Sequence, residues 1–382
     1  MLEAPPLSLY IHVPWCTRKC PYCDFNSHTS DTALPQTEYI KALCEDFDAE
    51  LERIPCAKDK EIDSIFIGGG TPSLFDAASF EKLLSHIREK STLAKSPEIT
   101  LEANPGTVEA IKFEEFRAAG INRLSIGVQS FNDEKLRALG RVHDSREAKT
   151  AIETAKKAGF ENLNLDLMHG LPGQDCTQAI NDLNTAIEYA PTHLSWYQLT
   201  IEPNTVFYRK PPSLPKESLI QEVQEIGLSI MEDHGFHNYE VSAYAQHGRE
   251  CVHNLNYWEF ADYIGIGAGA HGKLTNIETD TIFRTRKLKQ PTHYLYNSSN
   301  RDAESIEIHK EERALEFLLN ALRIKRGFST DLFMMRTGVP FSTIAKKVEY
   351  LSSKGFLSTN GNRVSATKIG YALLNSVLEE FL

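Results

Sequence analysis

Through the first two hundred residues, short runs rich in Leu, Ile and Val alternate with longer segments whose apolar residues recur every three to four positions. The runs Leu7–Val13, Ser64–Ile67, Glu98–Glu102, Arg123–Gly127, Asn162–Leu167 and His193–Leu199 read as short strands buried on both faces, the pattern of a parallel sheet covered by helices. Between them, Glu38–Arg53, Ala77–Lys90, Val108–Ala119 and Ser145–Ala158 read as amphipathic helices, and Gly120 and Gly159 stand where a helix should stop before the next strand. Six such units predict an α/β fold, a partial (β/α)6 TIM-like barrel, with a doubly wound open sheet as the alternative.

The pattern loosens after Pro203. A proline-rich loop, Pro211–Pro215, leads into a helix over Lys216–His234. A strand-like Tyr239–Tyr244 and a glycine-spaced run, Gly265–Gly272, follow. Residues 276–309 are largely polar and read as a connection. From 310 to 382 the pattern is helical apart from a short hairpin, Phe356–Val364, that turns at Asn360-Gly361. Helices followed by a small wing predict a winged-helix-like C-terminal domain. The expected division is therefore 1–275, 276–309 and 310–382.

Composition narrows the class. The chain has 382 residues, 41% hydrophobic and 24% charged, enough to bury a large core and a smaller one. No apolar stretch approaches the length of a membrane span. The N-terminus carries an acid and two prolines where a signal peptide would be basic and helical, so a cytoplasmic protein is expected. Seven cysteines, four of them (Cys44, Cys56, Cys176, Cys251) scattered, argue against a secreted disulfide framework and for a reducing compartment. The net charge of −11 argues against broad binding to nucleic acid or anionic membrane. The segment 310–382 carries eleven Lys/Arg against seven Asp/Glu. That small excess fits a module packed on the barrel better than a nucleic-acid footprint.

The remaining three cysteines change the picture. Cys16, Cys20 and Cys23 lie in one loop, Cys16-Thr-Arg-Lys-Cys20-Pro-Tyr-Cys23, directly after the first strand. They are one ligand short of a closed tetrahedral zinc site, which His12 or His28 would have to complete. A 4Fe–4S cluster on three cysteines instead keeps one iron open to an exogenous ligand. The other strands also end in polar groups. Gly68-Gly-Gly-Thr-Pro72 follows the second, Glu102-Ala-Asn-Pro105 the third and Gln129-Ser130 the fourth; Asp166 ends the fifth, and Tyr197-Gln198 lies at the sixth. In a β/α barrel that end carries the active site.

The cysteine spacing followed by this glycine run resembles the radical S-adenosylmethionine (SAM) superfamily. Over residues 7–272 the chain is similar to the oxygen-independent coproporphyrinogen III oxidases and their paralogues. The resemblance implies a 4Fe–4S cluster on Cys16, Cys20 and Cys23 and a partial barrel of the radical SAM type. It also implies a SAM site made by Tyr10, Tyr22, Gly70, Thr71, Pro72, Glu102, Gln129, Arg141 and Asp166. Each residue suits such a role: Asp166 can accept from ribose hydroxyls, Arg141 can clamp a carboxylate, and Tyr22 can pack on adenine.

Two features separate the chain from the oxidases. They carry a further cysteine two residues after the last cluster ligand, where Phe25 stands here, and an N-terminal extension that this sequence lacks. Further on, His253-Asn-Leu-Asn-Tyr-Trp258 resembles a motif associated with heme binding in the heme chaperone subfamily HemW. His253, Asn254, Tyr257 and Trp258 are therefore candidate heme contacts, with Cys251 and His271 as rival axial ligands. The resemblance implies a heme chaperone using a 4Fe–4S cluster, SAM and heme. Its acceptors would be respiratory hemoproteins and bacterioferritin, with membrane contact at most transient. The alternative is a radical SAM enzyme of porphyrin metabolism.

Overall fold

A computed structural model describes residues 2–30, 33–53, 60–106 and 112–382. Cys56 and the first residues of the expected helix Val108–Ala119 lie outside the described residues. Six parallel strands form the barrel wall: β1 Leu7–Val13, β2 Glu61–Gly69, β3 Thr92–Ala103, β4 Arg123–Gln129, β5 Asn162–His169 and β6 His193–Gln198. They pair in that order, each parallel to the next. The wall does not close, so the partial barrel expected from the periodicity is what forms.

The alternation within β1 shows how the sequence builds two environments. Leu7, Leu9, Ile11 and Val13 are fully buried against the helices, including Gln36–Arg53, which contributes Tyr39, Leu43 and Phe47. Each such burial contributes about 1.5–3 kcal/mol. Ser8, Tyr10 and His12 face the opposite way, into the barrel. The interior carries many polar groups, and several of them pair with one another. Ser8 Oγ meets Ser64 Oγ at 2.8 Å, His193 Nδ1 meets Asn164 Oδ1 at 2.6 Å, and His193 Nε2 meets the Tyr239 hydroxyl at 2.8 Å.

Beyond Pro203 the structure departs from the sequence reading. The expected strand Tyr239–Tyr244 is replaced by two short ones: Ala243–Ala245, antiparallel to the β6 edge, and His237–Asn238, antiparallel to Ala243–Ala245. The glycine-spaced run contains the end of a seventh parallel strand, β7 Asp262–Ile266, which pairs with the other side of β1. Residues 276–309, expected to be a connection, supply two strands and a helix. After β7 the sheet continues antiparallel through β8 His271–Asn276, β9 Thr281–Lys287 and β10 Asp302–Glu307. Their polar composition had concealed them, because one face of this extension is open to solvent.

The C-terminal module contains the helices Lys310–Ala321, Thr330–Thr337 and Ser342–Ser353 and a three-stranded sheet built on the hairpin Leu357–Asn360 and Arg363–Ala366. Its core of Phe317, Phe328, Phe333, Val348 and Leu351 is continuous with Leu2, Phe260 and Ile282 of the barrel. The winged-helix-like unit therefore packs on the barrel, as the small charge excess led us to expect. Among the described residues, no helix is long and apolar enough to cross a membrane.

The antiparallel extension is tied to the barrel by a buried ion cluster. Lys287 Nζ donates to Asp46 Oδ1 at 2.7 Å, Glu50 Oε1 at 2.5 Å and Asp302 Oδ1 at 2.7 Å. The Lys287 ammonium is held well above its ordinary pKa by these carboxylates despite its burial. Among the described residues, removing it would leave Arg53 as the one cation for Glu50 and Asp302, and would leave Asp46 with only the Tyr294 hydroxyl and Gly267 N as donors. The Lys287→Met variant is expected to lose about 3–5 kcal/mol of unfolding free energy in urea; a loss within experimental error would show that the cluster does not hold the extension.

Candidate functional site

The site begins with two loops that share a backbone contact. Gly70 N donates to Val13 O at 2.8 Å and Thr71 N to Trp15 O at 2.7 Å, so the glycine run lies along the first residues of the cysteine loop. A Cβ at Gly70 would sit 2.5 Å from the Trp15 carbonyl oxygen. Gly69 has φ +114°, and a Cβ there would meet the His12 ring at 2.4 Å. Glycine is thus required at Gly70 by the packing of one loop on the other, and at Gly69 by its positive φ and the His12 ring of β1. The cysteine loop closes on itself through Cys23 N to Cys20 O at 3.1 Å. It is pinned at its far side by Phe207 N to Pro21 O at 3.0 Å.

These loops and the C-terminal strand ends enclose a cavity of about 310 Å3. Cys16, Cys20, Cys23, Tyr22, Gly70, Thr71, Pro72, Glu102, Gln129, Arg141 and Asp166 all line it. The structure therefore brings together all three expected cluster ligands and eight of the nine expected SAM residues. Tyr10 stands apart from the cavity wall. Its hydroxyl is 2.9 Å from His12 Nδ1, and its ring packs near those of Phe66 and His253.

Asn104, part of the Glu102-Ala-Asn-Pro105 motif but not singled out from sequence, joins the two halves of the cavity. Its amide donates to Thr71 Oγ1 at 2.8 Å, and its Oδ1 accepts from Arg141 Nη2 at 2.6 Å. Tyr197, noted only as a strand-end residue, donates its hydroxyl to Gln129 Oε1 at 2.8 Å. Gln129 itself has φ +68°, a left-handed conformation that costs a non-glycine residue about 1–2 kcal/mol. The strain turns the chain sharply at the end of β4, over the cavity.

The electrostatics suit a zwitterionic ligand. Arg141 also donates to Gly127 O at 2.8 Å and lies 3.7 Å from Cys20 Sγ, while its Nε is buried with no acceptor. A guanidinium in the cavity wall beside a cluster thiol fits an incoming carboxylate. Across the cavity, Glu102 Oε2 accepts from Gly69 N at 2.9 Å, and Asp166 accepts from Asn164 at 2.8 Å and Ser125 at 3.2 Å. Burial raises the pKa of Asp166, outweighing these hydrogen bonds. Burial, reinforced by Asp166, raises Glu102 to about 7. Cations such as an ammonium or sulfonium would relieve both acids.

Burial likewise raises the Cys16 and Cys23 thiols, so iron binding there must release protons. Among the described residues, no three His, Cys, Asp or Glu side chains are drawn tightly enough together to hold a single metal ion. A three-cysteine iron–sulfur cluster needs no such set, since each thiolate takes a different iron.

The candidate heme motif occupies a different place. His253, Asn254, Tyr257 and Trp258 lie on the helix Val252–Trp258, which closes the floor of the barrel at the opposite end of the strands. His253 is buried; its Nδ1 is 3.2 Å from Ser64 Oγ, its backbone N–H reaches Glu98, and its ring packs 5.1 Å from that of Phe66. Burial, with Arg123 nearby, lowers its pKa to about 3. Cys251 is also fully buried, its thiol 3.4 Å from Glu98. Tyr257 packs on Trp258 and Tyr263, and Arg323 lies over the Trp258 ring. None of these four side chains lines the cavity.

A partial barrel whose strand ends present three loop cysteines against a glycine run defines a protein of the radical SAM class. Residues 10–183 match the model of the radical SAM superfamily, and residues 308–373 match the HemN C-terminal domain. The chain is 46% identical to the heme chaperone HemW of Haemophilus influenzae, over 100% of this chain and 99% of that one. It is also 46% identical to the HemW of Escherichia coli over the full length of both. The chain belongs to the HemW family of heme chaperones. The coproporphyrinogen III oxidase HemN of Escherichia coli, a radical SAM enzyme, superposes with a TM-score of 0.82. That likeness covers 99% of this chain and 90% of HemN at 21% identity, and so speaks for the fold alone. Membership of the superfamily implies a 4Fe–4S cluster and SAM.

The raised pKa of Glu102 has a measurable consequence. An acid whose folded pKa exceeds its unfolded value resists ionisation in the folded state. The protein without its cluster or SAM should therefore lose stability as pH rises from 4.5 through about 7. Urea unfolding of the wild type should weaken over that interval by on the order of 3 kcal/mol relative to Glu102→Gln. Parallel stability curves for the two proteins would show that Glu102 ionises freely in the cavity.

Proposed function

We propose that this protein binds heme and hands it to acceptor hemoproteins, with a SAM-ligated 4Fe–4S cluster in the cavity above the barrel. The observation that carries this reading is full-length similarity at 46% identity to proteins named heme chaperones. Phe25 supports it. This residue stands in the cavity wall where the oxidases carry a further cysteine, and its ring is 58% exposed. An exposed aromatic group at the rim offers apolar contact and no thiol chemistry.

In this reading Cys16, Cys20 and Cys23 hold the cluster, and the Arg141 guanidinium in the cavity wall receives the methionyl carboxylate. Asp166 and Glu102 face the cationic and hydroxyl parts of SAM, and Tyr22 packs beside adenine. When bound, the cluster supplies an electron source adjacent to a sulfonium. Asn104 and Tyr197 set the positions of Arg141 and Gln129. The acceptors are taken as hemoproteins in general.

The test is anaerobic. Hemin should bind the reconstituted protein stoichiometrically and pass to an apo-hemoprotein, read by the shift of the Soret band, while coproporphyrinogen III should stay undecarboxylated. Multiple-turnover decarboxylation without heme transfer would establish a porphyrinogen enzyme instead. Cys20→Ala should abolish the cluster absorbance and retain less than about a tenth of the iron; full iron content in that variant would remove Cys20 as a ligand.

A further inference from the structure

Both oxygens of the Asp166 carboxylate are fixed by one buried amide. Oδ1 accepts from Asn164 Nδ2 at 2.8 Å, and Oδ2 accepts from Ser125 Oγ at 3.2 Å. Asn164 Nδ2 also donates to Ser125 Oγ, at 2.8 Å. Asn164 therefore sets one oxygen directly and the other through a hydroxyl. These residues are neighbours in the barrel wall, Ser125 of β4 opposite Asn164 of β5, and Asn164 opposite His193 of β6. Asp166 and Ser125 line the cavity, with Asn164 behind them. An ionised carboxylate accepts in about four directions, so each Asp166 oxygen keeps room for a ligand hydroxyl. Two acceptors held side by side suit the adjacent hydroxyls of a ribose.

The Asn164 amide is oriented in turn from below. Its two Nδ2 hydrogens are used on Ser125 and Asp166, so its Oδ1 faces the other way. There Oδ1 accepts from Ser195 Oγ at 3.1 Å and lies 2.6 Å from His193 Nδ1. An amide oxygen cannot donate, so His193 carries its proton on Nδ1. Burial, and then Arg123, hold the His193 pKa well below its ordinary value, so the imidazole is neutral and has that one proton. Its Nε2 is left as an acceptor, to which the Tyr239 hydroxyl donates at 2.8 Å. Cys251 N donates in turn to the Tyr239 oxygen at 3.4 Å. Every donor in this row points from the barrel floor towards Asp166. Reversing the amide would break the row and set Asn164 Oδ1 against the Asp166 carboxylate. Asn164 and His193 are 2% and 1% exposed, too deep for bulk water to replace either.

We propose that Asn164 is a positioning residue of the SAM site: oriented by the Nδ1 proton of His193, it aims the Asp166 carboxylate at the ribose hydroxyls. The inference rests on the reading of the cavity as a SAM site and adds how its ribose acid is held. Asn164 acts through Asp166 and Ser125, without touching the ligand.

Anaerobic titration of the cluster-reconstituted protein with SAM and with its 2′-deoxy and 3′-deoxy analogues tests the assignment. The wild type should favour SAM over each analogue by about ten-fold, the effect of one hydrogen bond to a charged group. Asn164→Leu should bring that ratio close to one while leaving affinity for the analogues within about two-fold of wild type. A merely structural role would weaken all three ligands alike, and that result would overturn the proposal. Ser125→Ala releases one carboxylate oxygen and should lose part of the preference, which keeps the test open if Asn164→Leu fails to fold. An undiminished preference in Ser125→Ala would overturn the proposal as well. His193→Asn, whose amide can donate from the Nδ1 position, should retain the wild-type ratio, and His193→Leu should lose it. Nitrogen NMR of the isotope-labelled protein should find the His193 proton on Nδ1; a proton on Nε2 would overturn the orientation of Asn164. A wild type that binds SAM without preferring it to either analogue would instead remove Asp166 as the ribose contact, and one that binds no SAM would remove the reading of the cavity itself.

Discussion

The functional site depends on one backbone contact, the pairing of the glycine loop with the start of the cysteine loop. Two hydrogen bonds, Gly70 to Val13 and Thr71 to Trp15, lay these loops side by side. The absence of a side chain at Gly70 is what lets them approach. Everything above the barrel is referred to that contact. Thr71 holds Asn104, Asn104 holds Arg141, and Arg141 reaches Cys20. The chain of contacts runs from β2 through β3 to the thiols, so the cysteine loop is positioned by several strand ends at once.

The barrel interior separates two polar regions with different tasks. At the upper end, two buried acids, Glu102 and Asp166, and the Arg141 guanidinium surround a cavity, a charge pattern that suits a zwitterionic ligand. At the lower end, Glu98, Ser64, His193, Asn164 and Tyr239 meet donors and acceptors from the protein itself, and the helix Val252–Trp258 seals them in. Charged groups facing an open cavity suit ligand binding, whereas groups engaged with the protein's own donors and acceptors suit construction.

Much of this was legible in the sequence, and the reasons are local. The short apolar runs and helix-stop glycines are short-range signals, and they located all six barrel strands. Cys16, Cys20 and Cys23 are close in the chain, so their convergence needed no tertiary information. The residues expected at a SAM site came through motif resemblance, and eight of the nine share a cavity because parallel strands place their C-terminal ends together. Tyr10 was the exception: a residue early in β1 points inward below the cavity, and the motif alone does not report that depth.

The sequence by itself determined the alternation that makes a parallel barrel, the clustered thiols and the glycines beside them, since each is written in neighbouring residues. Tertiary structure alone decided the rest. The seventh parallel strand pairs with β1 across some 250 residues of chain, and the polar strands of 276–309 are recognisable only by their partners. Burial also separated His253 from His271, two imidazoles that look equally able to bind iron on paper. One faces Ser64 inside the barrel and the other faces solvent beside Arg286, a difference set by which side of a folded sheet each residue occupies.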